Sequence, residues 1–215
     1  MSAEKKFLIG IGLVTLILVA VGVFFLGKQG ATPQVESATV QSVLEQQARW
    51  TKGNPDAPVK IIEFADFECP ACATVNPIVQ QVVAENQDKV YYSYRNYPLP
   101  SHINSKIAAQ AAEASGLQSK YWEMTDLLFK KQNDWITSTN PKDLFTSYAQ
   151  ELGLDIEKFK SEMESSIAVV NQDYADGNKI GIQATPTFFI NGEKYQGAMQ
   201  KLQLQEIINK ASTSE

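Results

Sequence analysis

The chain has only two cysteines, Cys69 and Cys72, three positions apart in Glu68-Cys69-Pro70-Ala71-Cys72. A Cys-x-x-Cys where a strand hands over to a helix is the layout of a redox dithiol. Residues three apart lie nearly one turn apart on a helix, close enough for their sulfurs to bridge. Cys69 would stand at the helix N-terminus, where unpaired N–H groups and the helix dipole favour a thiolate. Pro70 suits the first helical position, since its missing N–H is not needed there. Cys72 falls in the first turn, more buried and less nucleophilic. Two other chemistries compete. Zinc needs about four N, S or O ligands, whereas the chain offers one histidine and no second cysteine pair. A structural staple is the other, but closing so short a loop gains much less than closing a ~100-residue loop.

The neighbouring elements must position that pair. Val59 to Phe64 is an apolar run that reads as a buried strand. A helix is expected from about Cys69 to Asn86, with Pro77 kinking it or removing one hydrogen bond. Val90 to Arg95, rich in tyrosine, reads as the next strand, with the tyrosines as pleat and core residues. Strand, helix and strand make a βαβ unit with a right-handed crossover. From Ile103 to about Ile180 the pattern is helical. Ile107, Ala108, Ala111, Ala112 and Ala114 give a first helix that Gly116 would end, and Tyr121 to Phe129 a second. Asn140-Pro141-x-Asp143 starts a third running to Leu152, Asp155 caps a fourth through Ser165, and a fifth covers Ile167 to Lys179. Thr187 to Ile190 is a strand, Asn191-Gly192 a hairpin turn, and Glu193 to Tyr195 the return strand. Met199 to Lys210 makes a last helix, apolar at Leu202, Leu204, Ile207 and Ile208. Removing the helical block leaves βαβ followed by ββα, an α/β arrangement with a small mixed sheet and helices on both faces.

The 215 residues carry a net charge of -5, and no basic patch points to nucleic acid. Phe7 to Leu26 contains no charge and a single polar side chain, Thr15, and is long enough to cross a ~30 Å hydrocarbon core. Lys5 and Lys6 before it favour a cytoplasmic N-terminus. A cleaved signal peptide would have a shorter apolar region ending in a small-x-small site, and no such site follows Leu26. The expected organisation is therefore a cytoplasmic N-terminus (1–6), a transmembrane anchor (7–26) and a linker, partly helical around Val40 to Ala48 (27–51). The folded part follows as 52–102, a helical insertion (103–180) and 181–211, then a disordered tail (212–215). The turn-rich Lys52 to Pro58 marks the edge of the folded part. An exported domain lies in an oxidising compartment, where a lone cysteine pair gains interest.

The chain resembles the DsbA family of thiol-disulfide oxidoreductases, in its membrane-anchored branch: a thioredoxin fold with a helical domain inserted in the middle. Four features carry the resemblance. They are Glu63-Phe64-x-Asp66-Phe67-x-Cys69-Pro70-x-Cys72; Asn96-Tyr97-Pro98-Leu99 followed by His102; Ala111-Ala112-Glu113-Ala114 through Tyr121-Trp122-Glu123-Met124; and Thr185-Pro186-Thr187-Phe188-Phe189-Ile190-Asn191-Gly192. The resemblance implies that Cys69 and Cys72 are the redox centre, with no dissociable cofactor and no metal. It implies a cis Pro186 against the sulfurs, with Thr185, Pro186, Pro70 and Ala71 meeting an extended substrate peptide. It makes Glu63 a buried acid serving proton transfer at Cys72; the alternative is an exposed strand-end Glu. Glu68 is expected to face solvent, and His102 to be a capping or packing residue. Ala71 stands where the best-studied members carry His, which implies a milder oxidant. The implied activity is disulfide formation in reduced exported proteins by a monomeric, single-pass membrane protein whose C-terminal domain lies outside the cytoplasm. A quinone-linked membrane oxidoreductase would reoxidise it. A reductase or isomerase, or a non-catalytic chaperone module that kept the fold, are the alternatives.

Overall fold

The computed structural model describes residues 37–46 and 48–213. The expected cytoplasmic segment, anchor and first part of the linker lie outside the described residues, as do residues 214 and 215. Among the described residues, no helix is long and apolar enough to cross a membrane.

In chain order the elements are α1 (Ser37–Leu44), β1 (Thr51–Gly53), β2 (Val59–Ala65), α2 (Pro70–Glu85) and β3 (Val90–Asn96). The helical stretch follows: α3 (Ser105–Leu117), α4 (Tyr121–Lys130), α5 (Gln132–Trp135), α6 (Pro141–Glu151), α7 (Ile156–Ser165) and α8 (Ile167–Lys179). The chain then returns to β4 (Thr187–Ile190), β5 (Glu193–Gln196) and α9 (Lys201–Ala211). The sheet order is β1-β3-β2-β4-β5. Only β2 and β3 pair in parallel; every other pairing is antiparallel. This is a mixed sheet with helices on both faces, a thioredoxin-like α/β fold.

Strand periodicity divides the core. Ile61, Ala65, Tyr92 and Tyr94 pack with Val75, Val79 and Val82 of α2 and with the alanine face of α3. Phe64 and Phe189 turn to the other face and pack with Val43, Tyr97, Ile180 and Ile182. That second cluster shows how α1 sits: Val43 is buried among these residues, so the helix packs on the domain. Arg95 is buried on β3 and pairs with Asp173 and Asp176 of α8, both at 2.8 Å.

Several local expectations need correction. The sheet begins before the turn-rich stretch, because Thr51–Gly53 pairs with Tyr91 to Ser93 as an edge strand. A three-residue strand is too short to show alternation. Gly116 does not end α3; it lies inside the helix, where a Cβ would stand 2.3 Å from the Trp50 ring. That indole is fixed, stacked on Tyr121 at 4.8 Å and donating to the Glu113 carboxylate at 2.9 Å. Gly116→Val is therefore expected to cost about 1–3 kcal/mol by overpacking, read as a lower midpoint in urea unfolding. Leu202 is 71% exposed: α9 starts at Lys201 and packs through Leu204 and Ile208, leaving Leu202 on its outer face. Ser212 and Thr213, expected in a disordered tail, instead hydrogen-bond back to α9. Pro77 behaves as expected: it lies on the solvent side of α2, and the helix runs through it with one backbone hydrogen bond missing. The Asn191-Gly192 hairpin forms as expected, with φ of 47° and 86°.

Candidate active site

Cys69 is the N-cap of α2, in extended conformation, and Pro70 opens the helix. The Cys69 N–H donates to the Asp66 carbonyl, and its own carbonyl accepts the first helical bond from Ala73, each at 3.1 Å. Both cysteines are free thiols. Cys69 keeps 7% of its surface exposed and Cys72 none. The Thr185-Pro186 bond is cis, and the Cys69 Sγ lies 3.4 Å from the Thr185 carbonyl oxygen. The structure thus brings Cys69, Thr185 and Pro186 together from elements more than a hundred residues apart. Pro70 is exposed and Ala71 half-buried beside them.

The two sulfurs are unlike. The Cys72 thiol donates to the Cys69 sulfur, and this bond is the largest influence on it. The Thr185 side chain and the N–H groups of Cys72 and Ala71 act in the same direction. Together they outweigh burial and bring Cys69 from the usual thiol value of 9.0 down to about 5. Cys72 is pushed well above its ordinary value, chiefly by burial, then by its bond to Cys69 and by the charges of Cys69 and Glu63. Glu63 is itself only 3% exposed. Burial pushes its carboxyl up from 4.5 to about 7, against the opposing effect of the Tyr92 hydroxyl, which donates to Glu63 Oε2 at 2.6 Å.

The loop between β2 and α2 is held by the helical stretch. The buried Asp66 carboxylate collects four donors. Oδ1 accepts from the Glu68 N–H at 2.8 Å and from the Ser105 hydroxyl. Oδ2 accepts from the Leu99 N–H and from His102 Nδ1, each at 2.7 Å. Because the carboxylate only accepts, Nδ1 carries the proton in this contact. His102 is therefore an anchor to the redox loop, not a cap. Glu68 is only half-exposed, and its Oε2 accepts the Asn104 N–H at 2.7 Å. Asparagine at position 66 would present one oxygen and an unwanted NH2 group to those four donors. Asp66→Asn is expected to destabilise the domain by about 2–4 kcal/mol, read by chemical denaturation of the reduced protein.

Asp66 lay within the quoted motif, but its role shows only in three dimensions. Asn104 and Gln132 carried no local signal at all, since each acts through a tertiary contact. Among the described residues, no cluster of three His, Cys, Asp or Glu could hold a metal ion.

A strand-end dithiol at a helix start, beside a cis-proline loop on this sheet, is an arrangement suited to thiol–disulfide exchange. The chain belongs to the thioredoxin family, whose model, described as "Thioredoxin", matches residues 45–210. A thioredoxin-like oxidoreductase from Silicibacter pomeroyi superposes with a TM-score of 0.69 at 28% identity, over 81% of this chain and 99% of that one. BdbD from Bacillus subtilis, in its oxidised form, gives 0.68 at 26% identity, over 76% and 92%. The fold is shared with alpha-DsbA1 of Wolbachia pipientis, at a TM-score of 0.67 and 23% identity over 75% of this chain and 89% of that one. Among curated relatives, the Na(+)/H(+) antiporter NhaA 1 of Mycolicibacterium gilvum is 32% identical over 91% of this chain and 32% of its own length. The chain spans about a third or less of the curated relatives it matches.

Proposed function

We propose that this protein oxidises thiols of exported proteins, acting outside the cytoplasm from a membrane anchor at Phe7 to Leu26. The contrast between Cys69 and Cys72 carries the reading. A thiolate as stable as Cys69 leaves a mixed disulfide readily and makes the reduced form the comfortable one, which is the property of an oxidant. Its value of about 5 falls between thioredoxin, roughly 7, and DsbA, roughly 3.5. A moderate oxidant fits a motif with Ala71 between the cysteines.

A substrate thiolate attacks Cys69 of the Cys69–Cys72 disulfide; a mixed disulfide forms and Cys72 leaves with the electron pair. Glu63, with its carboxyl raised to about 7 and so partly neutral at neutral pH, gives Cys72 its proton, either directly or through a bound water. The substrate's second thiolate then attacks its own sulfur in the mixed disulfide and expels Cys69 as thiolate. The substrate loses two electrons and two protons. The enzyme gains both electrons; one proton of the consumed thiols replaces the one Glu63 gave to Cys72, and the other goes to solvent because Cys69 stays a thiolate. A membrane oxidoreductase linked to quinone would restore the disulfide, and the protein would work as a monomer. The Thr185 backbone, Pro186, Pro70 and Ala71 would line the extended substrate segment.

The equilibrium of the pair with glutathione tests the direction. A potential clearly more oxidising than thioredoxin's roughly -270 mV supports the oxidase. A potential at or below it transfers the assignment to a reductase.

A further inference from the structure

We propose that Gln132 is a positioning residue for Cys69: its side-chain amide clamps the two carbonyls that bracket Glu68 and so fixes where the Cys69 sulfur stands. The proposal rests on Cys69 being the reacting thiol. Gln132 lies on α5, far from the cysteines in sequence, and is buried. Its Nε2 donates to the Phe67 carbonyl at 2.7 Å and to the Cys69 carbonyl at 3.1 Å. The Cys69 carbonyl also accepts the first bond of α2, so Gln132 fixes both the approach to the helix and its opening peptide. The preceding side chain is fixed as well: Phe67 packs on Tyr94 at 5.4 Å and Phe129 at 5.0 Å between ring centres.

The platform behind Gln132 is rigid. The fully buried Trp135 donates to the Leu128 carbonyl at 2.9 Å. The Asn104 amide donates to the carbonyls of Trp135, Ile136 and Ser138. A four-residue helix held this firmly, with the Gln132 amide aimed at the redox loop, turns the helical stretch into part of the machinery. Gln132 carries no charge and touches neither sulfur, so it acts through geometry. The donors that reach Cys69 from Cys72 and Ala71 are effective only while the sulfur stays where they point. The Phe67 carbonyl, buried and left without its partner, would draw the loop toward another arrangement.

The test compares the full chain with Gln132→Leu, which keeps the bulk and removes the donors. Gln132→Asn, one methylene shorter, is read the same way so that the test survives if the leucine variant does not fold. Gln110→Leu is the control: it removes an amide bond to the Met163 carbonyl within the helical stretch, away from the cysteines. Thiolate absorbance is titrated, and the equilibrium with glutathione is measured. Either Gln132 variant is expected to raise the Cys69 midpoint by about one pH unit and to move the equilibrium about tenfold toward the oxidised enzyme, about 30 mV. The control should move neither. A folded Gln132 variant with midpoint and equilibrium both unchanged overturns the proposal. So does Gln110→Leu shifting them equally, since any loosening of the helices would then suffice. Failure of the underlying reading looks different: the unmodified chain itself would not exchange with glutathione.

Discussion

Cys69→Ser is expected to abolish thiol–disulfide exchange, lowering turnover of a reduced unfolded client by at least about a thousandfold. Cys72→Ser should instead accumulate a mixed disulfide between Cys69 and the client. The asymmetry follows from the site. Cys69 keeps some exposure beside the cis Thr185-Pro186 bond, whereas Cys72 is fully covered and held protonated by burial and by neighbouring negative charge. A serine at 69 removes the only sulfur that a polypeptide can approach. A serine at 72 removes the group that would release a trapped client. Non-reducing electrophoresis with mass mapping of the adduct reads both variants. Adducts on Cys72 in the Cys69→Ser protein would reverse the assignment.

Glu63→Gln has the second-largest expected effect, on stability and rate together. The carboxyl's value is raised in the fold, from 4.5 to about 7. A raised value means that the folded state prefers the neutral form. That contribution is complete below about pH 4.5 and is lost progressively as pH rises through about 7. The difference corresponds to roughly 3 kcal/mol. Unfolding free energy of the reduced protein should therefore fall across this window in the native chain, and this part of the fall should vanish in Glu63→Gln. Above pH 7 the variant should be the more stable protein, because its amide can still accept from the Tyr92 hydroxyl without carrying charge. It should also be slow. With no proton to give Cys72, the first exchange step should drop on the order of 10²-fold, measured by stopped-flow reduction at neutral pH. A variant neither stabilised nor slowed would show that Glu63 stays charged and takes no part.

Local signals were legible where chemistry and backbone geometry coincide. Cys-Pro-x-Cys after an apolar strand marked the N-cap and the opening of α2. Asn191-Gly192 marked the hairpin because its two positions take positive φ. Asp155 signalled the start of α7, and its side chain accepts from the Lys158 N–H at 3.0 Å. What escaped was set by partners distant in sequence. Gly116 read as a helix end, but its small size serves the approach of Trp50. Glu68 read as solvent-facing, and nothing nearby announces the Asn104 N–H it also accepts. The strand Thr51–Gly53 and the helix Gln132–Trp135 are too short to show a period, although the second supplies the amide that grips the redox loop. His102 looked like a lone packing residue, and its link to Asp66 crosses from the start of the helical stretch to the end of β2.

The account turns on one sulfur ionising far more easily than the other. Alkylation of the reduced protein by iodoacetamide, followed from pH 3 to 9 with the modified cysteine identified by mass, measures this directly. Reaction confined to Cys69, with its rate rising through a midpoint near 5 and Cys72 silent across the range, is the predicted result. A Cys69 midpoint at the ordinary thiol value of 9.0, or equal labelling of the two cysteines, would contradict it.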